Sequence, residues 1–324
     1  MTTKKNKTQN NDDAKTKEND KNVKSAVKNS FASVENLLSD IVSQIQNVEE
    51  TKNPVTGVPT GFEDLDNLTA GFQPSDFIIL ASRPSMGKSA FALNIALNAA
   101  LRSSKKVAIF SLEMSSKQVI RRMLFTEGDV SQQFQQQMLG LGTAGKFGDF
   151  WNRLWVSADR LTKGNLFIDD TPGLSLPEIC SRARDFHKGK GVDLIIIDYL
   201  QLMPGIFMNT NRTQEMSEIS RGLKTLAREL DVPVLALSQL SRNVEARQIR
   251  RPMLSDLRDS GTLEEDADIV MFLYRDDYYK GAEETPTHIT ELNVAKNRNG
   301  PVGRVHLFFK NECTKFLSLA RRKD

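Results

Sequence analysis

The residue types that most clearly indicate chemistry lie in one short segment, Arg83-Pro84-Ser85-Met86-Gly87-Lys88-Ser89. An apolar run precedes it at 77–81, and a helical pattern follows it at 89–101. A strand, a tight Gly-Lys-Ser turn and a helix N-terminus form a cradle for phosphate, because backbone N–H groups and the positive end of the helix dipole face an anion. In such a cradle Lys88 reaches the β- and γ-phosphates and the Ser89 hydroxyl binds Mg²⁺. The segment therefore predicts a nucleoside triphosphate as ligand.

The segment departs from the standard phosphate-loop pattern at its first glycine, where this chain has Ser82. Serine is tolerated at that position if its backbone is not left-handed. The alternative interpretation is an ordinary strand-to-helix turn with a chance Gly-Lys-Ser. The apolar run before the turn and the helical pattern after it favour the phosphate loop.

Three other apolar runs end in polar side chains that suit the same chemistry. Asp198 follows one of them and could hold Mg²⁺ through its water shell. Glu113 follows another, where it is either the base that orients the attacking water or a carboxylate interacting with a helix dipole. Gln239 ends a third and can sense a γ-phosphate by hydrogen bonding without adding charge.

The elements that must position these residues alternate along the chain. Early alternation of strand and helix patterns predicts an α/β fold with a mostly parallel sheet and helices on both faces. Closely spaced late runs predict antiparallel strands at the far edge. The apolar runs lie at 77–81, 107–111, 193–197, 232–237, 269–273, 289–295 and 302–309, and the helical patterns at 89–101, 116–127, 176–187 and 214–230.

Composition divides the 324 residues into three parts. Residues 1–30 have eight lysines, four acidic residues and almost no large apolar side chain, which predicts a disordered basic tail or, alternatively, a nucleic-acid contact. Residues 31–50 have apolar positions at helical spacing, which predicts an amphipathic helix that packs on its own domain or on a neighbouring subunit. Residues 51–324 then form the main domain. Because the net charge is +3, the chain beyond the tail is nearly neutral, which argues against a broad basic face for duplex DNA but not against nucleic acid held by loops in a channel.

Composition also limits the other classes of site. Cys180 and Cys313 have no metal-ligand spacing, and two cysteines cannot form a disulfide framework. Since the sequence has neither an apolar signal core nor a run approaching 18 apolar residues, we expect a soluble, cytoplasmic protein.

Six motifs in order resemble the C-terminal motor domain of DnaB-type replicative helicases, over about residues 55–320. They are the phosphate loop, Ser-Leu-Glu-Met-Ser at 111–115, Ile-Asp-Tyr-Leu-Gln-Leu-Met at 197–203, Leu-Ser-Gln-Leu-Ser-Arg at 237–242, Ser-Asp-Leu-Arg-Asp-Ser-Gly at 255–261 and Lys-Asn-Arg-Asn-Gly-Pro at 296–301. Family members normally have a helical collar domain ahead of a linker helix. Here only the tail at 1–30 stands in its place, so we expect the collar domain to be lacking.

The resemblance implies a RecA-like fold in a six-membered ring, with ATP and Mg²⁺ at each subunit boundary. It implies that Glu113 is the catalytic base and that Gln239 links the nucleotide state to DNA-binding loops. Arg298 and Lys296 would act in trans, as the arginine finger and its partner on the adjacent subunit's ATP. Arg122 matches an arginine that the family places near the nucleotide.

The resemblance also implies a channel for single-stranded DNA. Arg258, Asp259 and Gly261 match a loop that grips the DNA backbone, although the family usually has Glu where this chain has Asp259. Residues 204–213 would form a second channel loop, and the helix at 31–50 resembles the linker helix that docks on the neighbouring subunit.

These features predict an ATP-dependent, ring-forming helicase that moves 5′ to 3′ on single-stranded DNA, with a loader or primase as a further partner. The alternative is a collar-less relative that joins a helicase ring as a loader or regulator. The complete set of hydrolytic residues favours the enzyme. A third interpretation, a RecA-fold recombination or signalling ATPase, is disfavoured by the Lys-Asn-Arg-Asn-Gly-Pro motif.

Overall fold

A computed structural model describes residues 54–131, 148–204, 211–279 and 285–319, together with isolated positions between 33 and 46 and without the side chains of 258–260. Two compact units divide the chain, Met1–Asn53 and Pro54–Asp324. In the first unit the described positions from Val34 to Gln46 are helical, and Val34, Leu38, Ile41 and Val42 are exposed. The predicted tail and the remainder of the predicted helix lie outside the described residues.

The described part of the second unit is built on a nine-stranded sheet in the order β3-β2-β4-β5-β1-β6-β7-β8-β9. The first six strands in that order are parallel, and the last three are antiparallel. The strands are β1 Phe77–Ser82, β2 Val107–Ser111, β3 Leu166–Asp169, β4 Leu194–Asp198, β5 Val234–Gln239, β6 Ile269–Tyr274, β7 Ile289–Asn297, β8 Gly303–Lys310 and β9 Lys315–Ser318.

Helices cover both faces of this sheet. They are α1 Glu63–Thr69, α2 Lys88–Leu97, α3 Ser116–Glu127, α4 Gly148–Lys163, α5 Leu176–Lys190, α6 Arg212–Leu230 and α7 Gly261–Asp266. Alternation along β1 shows why residues 77–81 are all apolar. Ile78 and Leu80 belong to the core that includes α2, whereas Phe77, Ile79 and Ala81 belong to the core that includes α5 and α6.

The predicted fold class is confirmed: the sheet is mostly parallel, helices lie on both faces, and antiparallel strands form the far edge. Each predicted apolar run forms a strand, and the four helical patterns correspond to α2, α3, α5 and α6. The patterns did not predict β3 and β9, which have four residues each, or the helices α1, α4 and α7. Among the described residues, none of the helices is both long enough and apolar enough to span a membrane.

Candidate nucleotide site

The phosphate loop connects the end of β1 to the start of α2. Ser82 is the last residue of β1 and pairs with Gln239, so its backbone is extended and does not need the conformational freedom of glycine. Gly87 precedes α2 with a left-handed φ of +98°, and a Cβ there would lie 3.1 Å from Phe316 Cζ. The tight turn therefore needs its second glycine and tolerates serine in place of the first.

Parallel pairing brings the other candidate side chains to the same edge of the sheet. Ser82 aligns with Gln239, and Ser111 aligns with Asp198. Glu113 follows β2 by two residues and faces the same space. A single cavity of about 530 Å³ results, lined by Ser82, Arg83, Pro84, Ser85, Gly87, Lys88, Ser89, Ala90, Glu113, Met114, Arg122, Tyr199, Gln239, Arg275, Phe309, Asn311 and Thr314.

Lys88, which lines this cavity, forms an electrostatic pair with Asp198. Burial lowers the pKa of the Lys88 ammonium to about 8, against the attraction of Asp198 and Glu113. Burial raises the pKa of the Asp198 carboxyl, against a hydrogen bond from the Ser89 hydroxyl and the charge of Lys88. The Lys88 Nζ also lies 4.6 Å from the centre of the Tyr199 ring. Both charges are thus desolvated, so each would be stabilised by a ligand of opposite charge.

The residues around Asp198 fit a hydrated Mg²⁺ ion. Asp198 Oδ1 is buried and has no hydrogen-bond partner among the described residues, while the carboxylate accepts a bond from Ser89. A carboxylate oxygen and a serine hydroxyl are hard ligands of the kind that Mg²⁺ prefers, and Mg²⁺ retains several of its waters. Ser89 and Asp198 would therefore hold the ion.

Two residues of the phosphate loop direct their side chains elsewhere. The Arg83 guanidinium donates to the Leu240 carbonyl at 2.7 Å and to the Glu245 carboxylate at 3.0 Å. Met86 is buried, with 1% of its surface exposed. These two side chains anchor the loop, which leaves the backbone, Lys88 and Ser89 as the candidates for contacting a phosphate.

Lys296 and Arg298 lie at the opposite end of the sheet. Lys296 pairs with Val270, which pairs with Ile79 near the start of β1. Arg298 donates its backbone N–H to the Asp268 carbonyl and its guanidinium to the Asp268 carboxylate at 3.3 Å. Asp268 in turn accepts from the Phe77 N–H, which places Arg298 roughly 16 Å along the strand from Ser82.

The predicted DNA-binding residues are only partly described. Arg258 and Asp259 belong to a 3₁₀ segment, Leu254–Ser260, but their side chains lie outside the described part of the chain. Gly261 begins α7, is exposed, and has open space where a Cβ would point. Of the predicted loop at 204–213, residues 205–210 lie outside the described residues.

The cavity also includes residues to which the sequence patterns assigned no role. Tyr199 lies within the motif at 197–203, and its place next to Asp198 is the signal that could have found it. Arg275 donates to the Asn311 side chain at 2.8 Å and lies over the Phe309 ring at 4.4 Å. No motif marks these last three residues. Arg275 directly follows β6, which is parallel to β1 and ends at the same edge of the sheet, whereas Phe309 and Asn311 reach the site through the return of β8 beside β7.

The family described as DnaB-like helicase C terminal domain matches residues 57–318. The chain belongs to this family. Its similar relatives include the replicative DNA helicase DnaC of Bacillus subtilis and DnaB of Geobacillus stearothermophilus. Each is 49% identical over 295 residues, covering 91% of this chain and 63% of the relative. The chain therefore spans less than two thirds of the length of these relatives.

Solved structures agree with this membership. One solved ATPase domain superposes with a TM-score of 0.81 at 43% identity, covering 90% of this chain and all of that domain. A DnaB-like replicative helicase described with its interactions with primase has a TM-score of 0.78 at 42% identity, covering 91% of this chain and 69% of that one. The RadB recombinase, at 15% identity, 81% coverage of this chain and a TM-score of 0.51, shares the fold alone.

Proposed function

We propose that the chain is an ATP-dependent, ring-forming DNA helicase motor that moves 5′ to 3′ on single-stranded DNA in replication. The observation that carries the proposal is the separation of the hydrolytic residues. Lys88 and Glu113 line one cavity and interact with the buried Asp198 carboxylate, whereas Arg298 lies at the opposite end of the same sheet. Such a site is completed by a second subunit, so hydrolysis depends on assembly.

Within one subunit the roles follow from position and charge. Lys88 binds the β- and γ-phosphates, whose charge favours its protonated form. Mg²⁺ held by Ser89 and Asp198 would neutralise phosphate charge. Glu113 lines the cavity beyond β2, where it accepts a proton from the attacking water. Arg122 and Gln239 lie in the same cavity and would contact the nucleotide.

The finger residues would act on the neighbour's ATP. Arg298 supplies a planar cation that stabilises charge on the transferred phosphoryl group, and Lys296 supports it. In the isolated chain Arg298 is paired with Asp268, and the Lys296 ammonium donates to the Glu264 carbonyl at 2.6 Å. Assembly would exchange the Asp268 carboxylate for phosphate oxygens.

Single-stranded DNA would bind along the loops that face a central channel. Gly261 supports this assignment, because neither its backbone angle nor its surroundings in this chain require glycine. A residue without a Cβ allows a phosphate backbone to approach closely. We propose that Arg258, Asp259 and the loop at 204–213 complete the contact.

The helix at 31–50 would join the subunits by docking on a neighbour. The exposed apolar residues Val34, Leu38 and Ile41 need a partner surface. A ring of six such subunits is the proposed assembly. Primase, which is named for one solved relative, and a loader are the proposed partner classes, and the cytoplasm is the proposed location.

The experiment that tests this function measures the ATPase rate with and without single-stranded DNA, alongside the mass of the assembly with nucleotide. We expect the DNA to stimulate hydrolysis and the mass to be that of a ring. Lys88→Ala is the control for contaminating ATPase, because it removes the ammonium that offsets phosphate charge. Hydrolysis by a monomer without stimulation by DNA would contradict the helicase proposal. A ring that does not hydrolyse ATP would indicate a regulator.

A further inference from the structure

Gln201 makes contacts that neither the motifs nor the cavity account for. It lies in the 3₁₀ turn Leu200–Leu202, three residues beyond Asp198. Its Oε1 accepts from the Gln239 backbone N–H at 3.1 Å, and its Nε2 donates to the Gln239 carbonyl at 3.2 Å and to Ser238 Oγ at 2.9 Å. One side chain thus binds both backbone polar groups of the residue at the end of β5.

The two hydrogen bonds between the Gln201 side chain and the Gln239 backbone take the place of a neighbouring strand at the end of β5. Pairing of β5 with β4 ends at Ala236, whereas pairing of β5 with β1 continues to Gln239. On the β4 side, the last backbone N–H and C=O of β5 would therefore have no ladder partner. The Gln201 carboxamide offers an acceptor and a donor side by side, as a strand does. The position of Gln239 therefore depends on that of Gln201.

The backbone of Gln201 is in turn bound to α6. Arg212, the first residue of α6, donates to the Gln201 carbonyl at 2.8 Å. Further along α6, Ser217 Oγ accepts from the Thr262 hydroxyl at 2.9 Å, and Ser220 donates to the Thr262 carbonyl at 3.3 Å. Thr262 follows Gly261 directly. Hydrogen bonds through α6 therefore join Gln239 in the nucleotide cavity to the start of α7.

We propose that Gln201 is a positioning residue that couples the nucleotide bound near Gln239 to the affinity of the Gly261 region for single-stranded DNA. The inference rests on the proposed function, since it presumes that the chain binds both ligands. Coupling between two sites is measured as the ratio of the affinities for one ligand in two states of the other site. The test of this inference is therefore the ratio of the DNA affinities in two nucleotide states, rather than the activity alone.

The test measures the affinity for a labelled oligo-dT by fluorescence anisotropy, once with ADP and once with a non-hydrolysable ATP analogue. Gln201→Met keeps the length of the side chain and removes both kinds of hydrogen bond. Gln214→Met, on an exposed position of α6, is the matched control. We expect Gln201→Met to lower the ratio of the two affinities by about fivefold or more, the lower range of coupling between sites. The control should keep the wild-type ratio.

Thr262→Val, which breaks the same chain of contacts at its far end, should lower the ratio as well. If Gln201→Met does not fold, the same ratio is measured for Gln201→Glu, which keeps the acceptor for the Gln239 N–H. A wild-type ratio in a Gln201 variant with a normal melting temperature would overturn the inference and leave the helicase proposal intact. Wild-type protein that binds no single-stranded DNA would instead overturn the proposed function, and this inference with it.

Discussion

At the scale of single residues, the buried ammonium of Lys88 has a measurable consequence. Burial lowers its pKa to about 8, whereas the value in the unfolded chain is 10.5. Between pH 8 and pH 10.5 the unfolded chain therefore holds a proton that the folded chain has released. The free energy of unfolding contributed by Lys88 is therefore lowest below pH 8 and increases as the pH rises. Lys88→Met lacks this dependence.

We expect the stability of the wild type relative to Lys88→Met, both free of nucleotide, to rise by about 2 kcal/mol between pH 8 and about pH 9.5. Urea denaturation at several pH values measures the difference, and other titrating groups cancel between the two proteins. A difference that stays constant over this range would show that Lys88 has an ordinary pKa.

Glu113 can be tested by replacing its carboxylate with an amide. Glu113→Gln should bind ATP as the wild type does, because the side chain keeps its size, but it cannot accept the proton of the water. Turnover should fall by about 10² to 10⁴, the range typical of a general base. Titration with a fluorescent ATP analogue measures binding, and phosphate release measures turnover. Glu63→Gln, at an exposed position of α1, is the control; hydrolysis at the wild-type rate by Glu113→Gln would refute the assignment.

At the scale of elements, the turn between β1 and α2 depends on a left-handed glycine. Gly87→Ala places a Cβ at φ +98° and 3.1 Å from Phe316 Cζ, within a cluster in which Phe316 stacks on Phe309 at 4.4 Å. We expect a loss of about 1–3 kcal/mol in stability, together with weaker ATP binding. Gly189→Ala in α5 is the control, because its Cβ meets open space and alanine favours a helix by up to about 1 kcal/mol. Thermal melting with and without ATP compares them, and equal melting temperatures for both variants would contradict the expected strain.

The N-terminal helix can be separated from the tail by two deletions. Deleting residues 1–30 should leave the ATPase rate and melting temperature unchanged, because this segment has almost no apolar surface to bury. Deleting residues 1–50 should also lower the mass of the assembly, because it removes the exposed apolar positions from Val34 to Val42. Light scattering on both proteins isolates the contribution of the helix. Equal masses would rule out docking between subunits.

At the scale of the whole molecule, the proposed action of Arg298 on a neighbouring subunit would make hydrolysis depend on two subunits. Arg298→Ala should bind nucleotide almost normally, since the residue lies far from its own phosphate loop, and hydrolysis should fall by a factor on the order of 10³. The decisive measurement mixes it with Lys88→Ala. We expect each variant to be inactive alone. In a mixed ring, however, some subunit boundaries join an intact phosphate loop with Lys88 to an intact Arg298.

Recovery of part of the ATPase activity on mixing is the expected result. If mixed rings form and no ratio restores activity, either Arg298 acts within its own subunit or every boundary must be intact. Mixing the double variant with wild type separates these two cases. Activity that falls in proportion to the fraction of double variant indicates action within one subunit, whereas a steeper fall indicates that all boundaries are needed.

The strands and helices that local pattern could predict are those with enough apolar residues to bury a face. β1 and β4 are apolar up to their last residues, Ser82 and Asp198, because both faces are covered. β3 and β9 were not predicted, because strands of four residues at the edges of the sheet are too short to give a clear apolar run. The helix α4 was not predicted either, although its apolar residues Trp151, Leu154 and Trp155 recur at helical spacing.

The chemistry of the candidate nucleotide site could be predicted from the sequence itself, because the phosphate loop, Asp198 and Glu113 lie at the ends of strands of a parallel sheet, and these ends share one edge. Only the tertiary structure decided the rest. The antiparallel return of β7 and β8 brings Asn311 and Phe309 to the cavity, and the same register holds Arg298 at the opposite end. The Gln201 bonds likewise exist only because β4 leaves the sheet before β5 does. Contacts of this kind join residues distant in sequence, and their register is set by packing over the whole sheet rather than by any local run of residues.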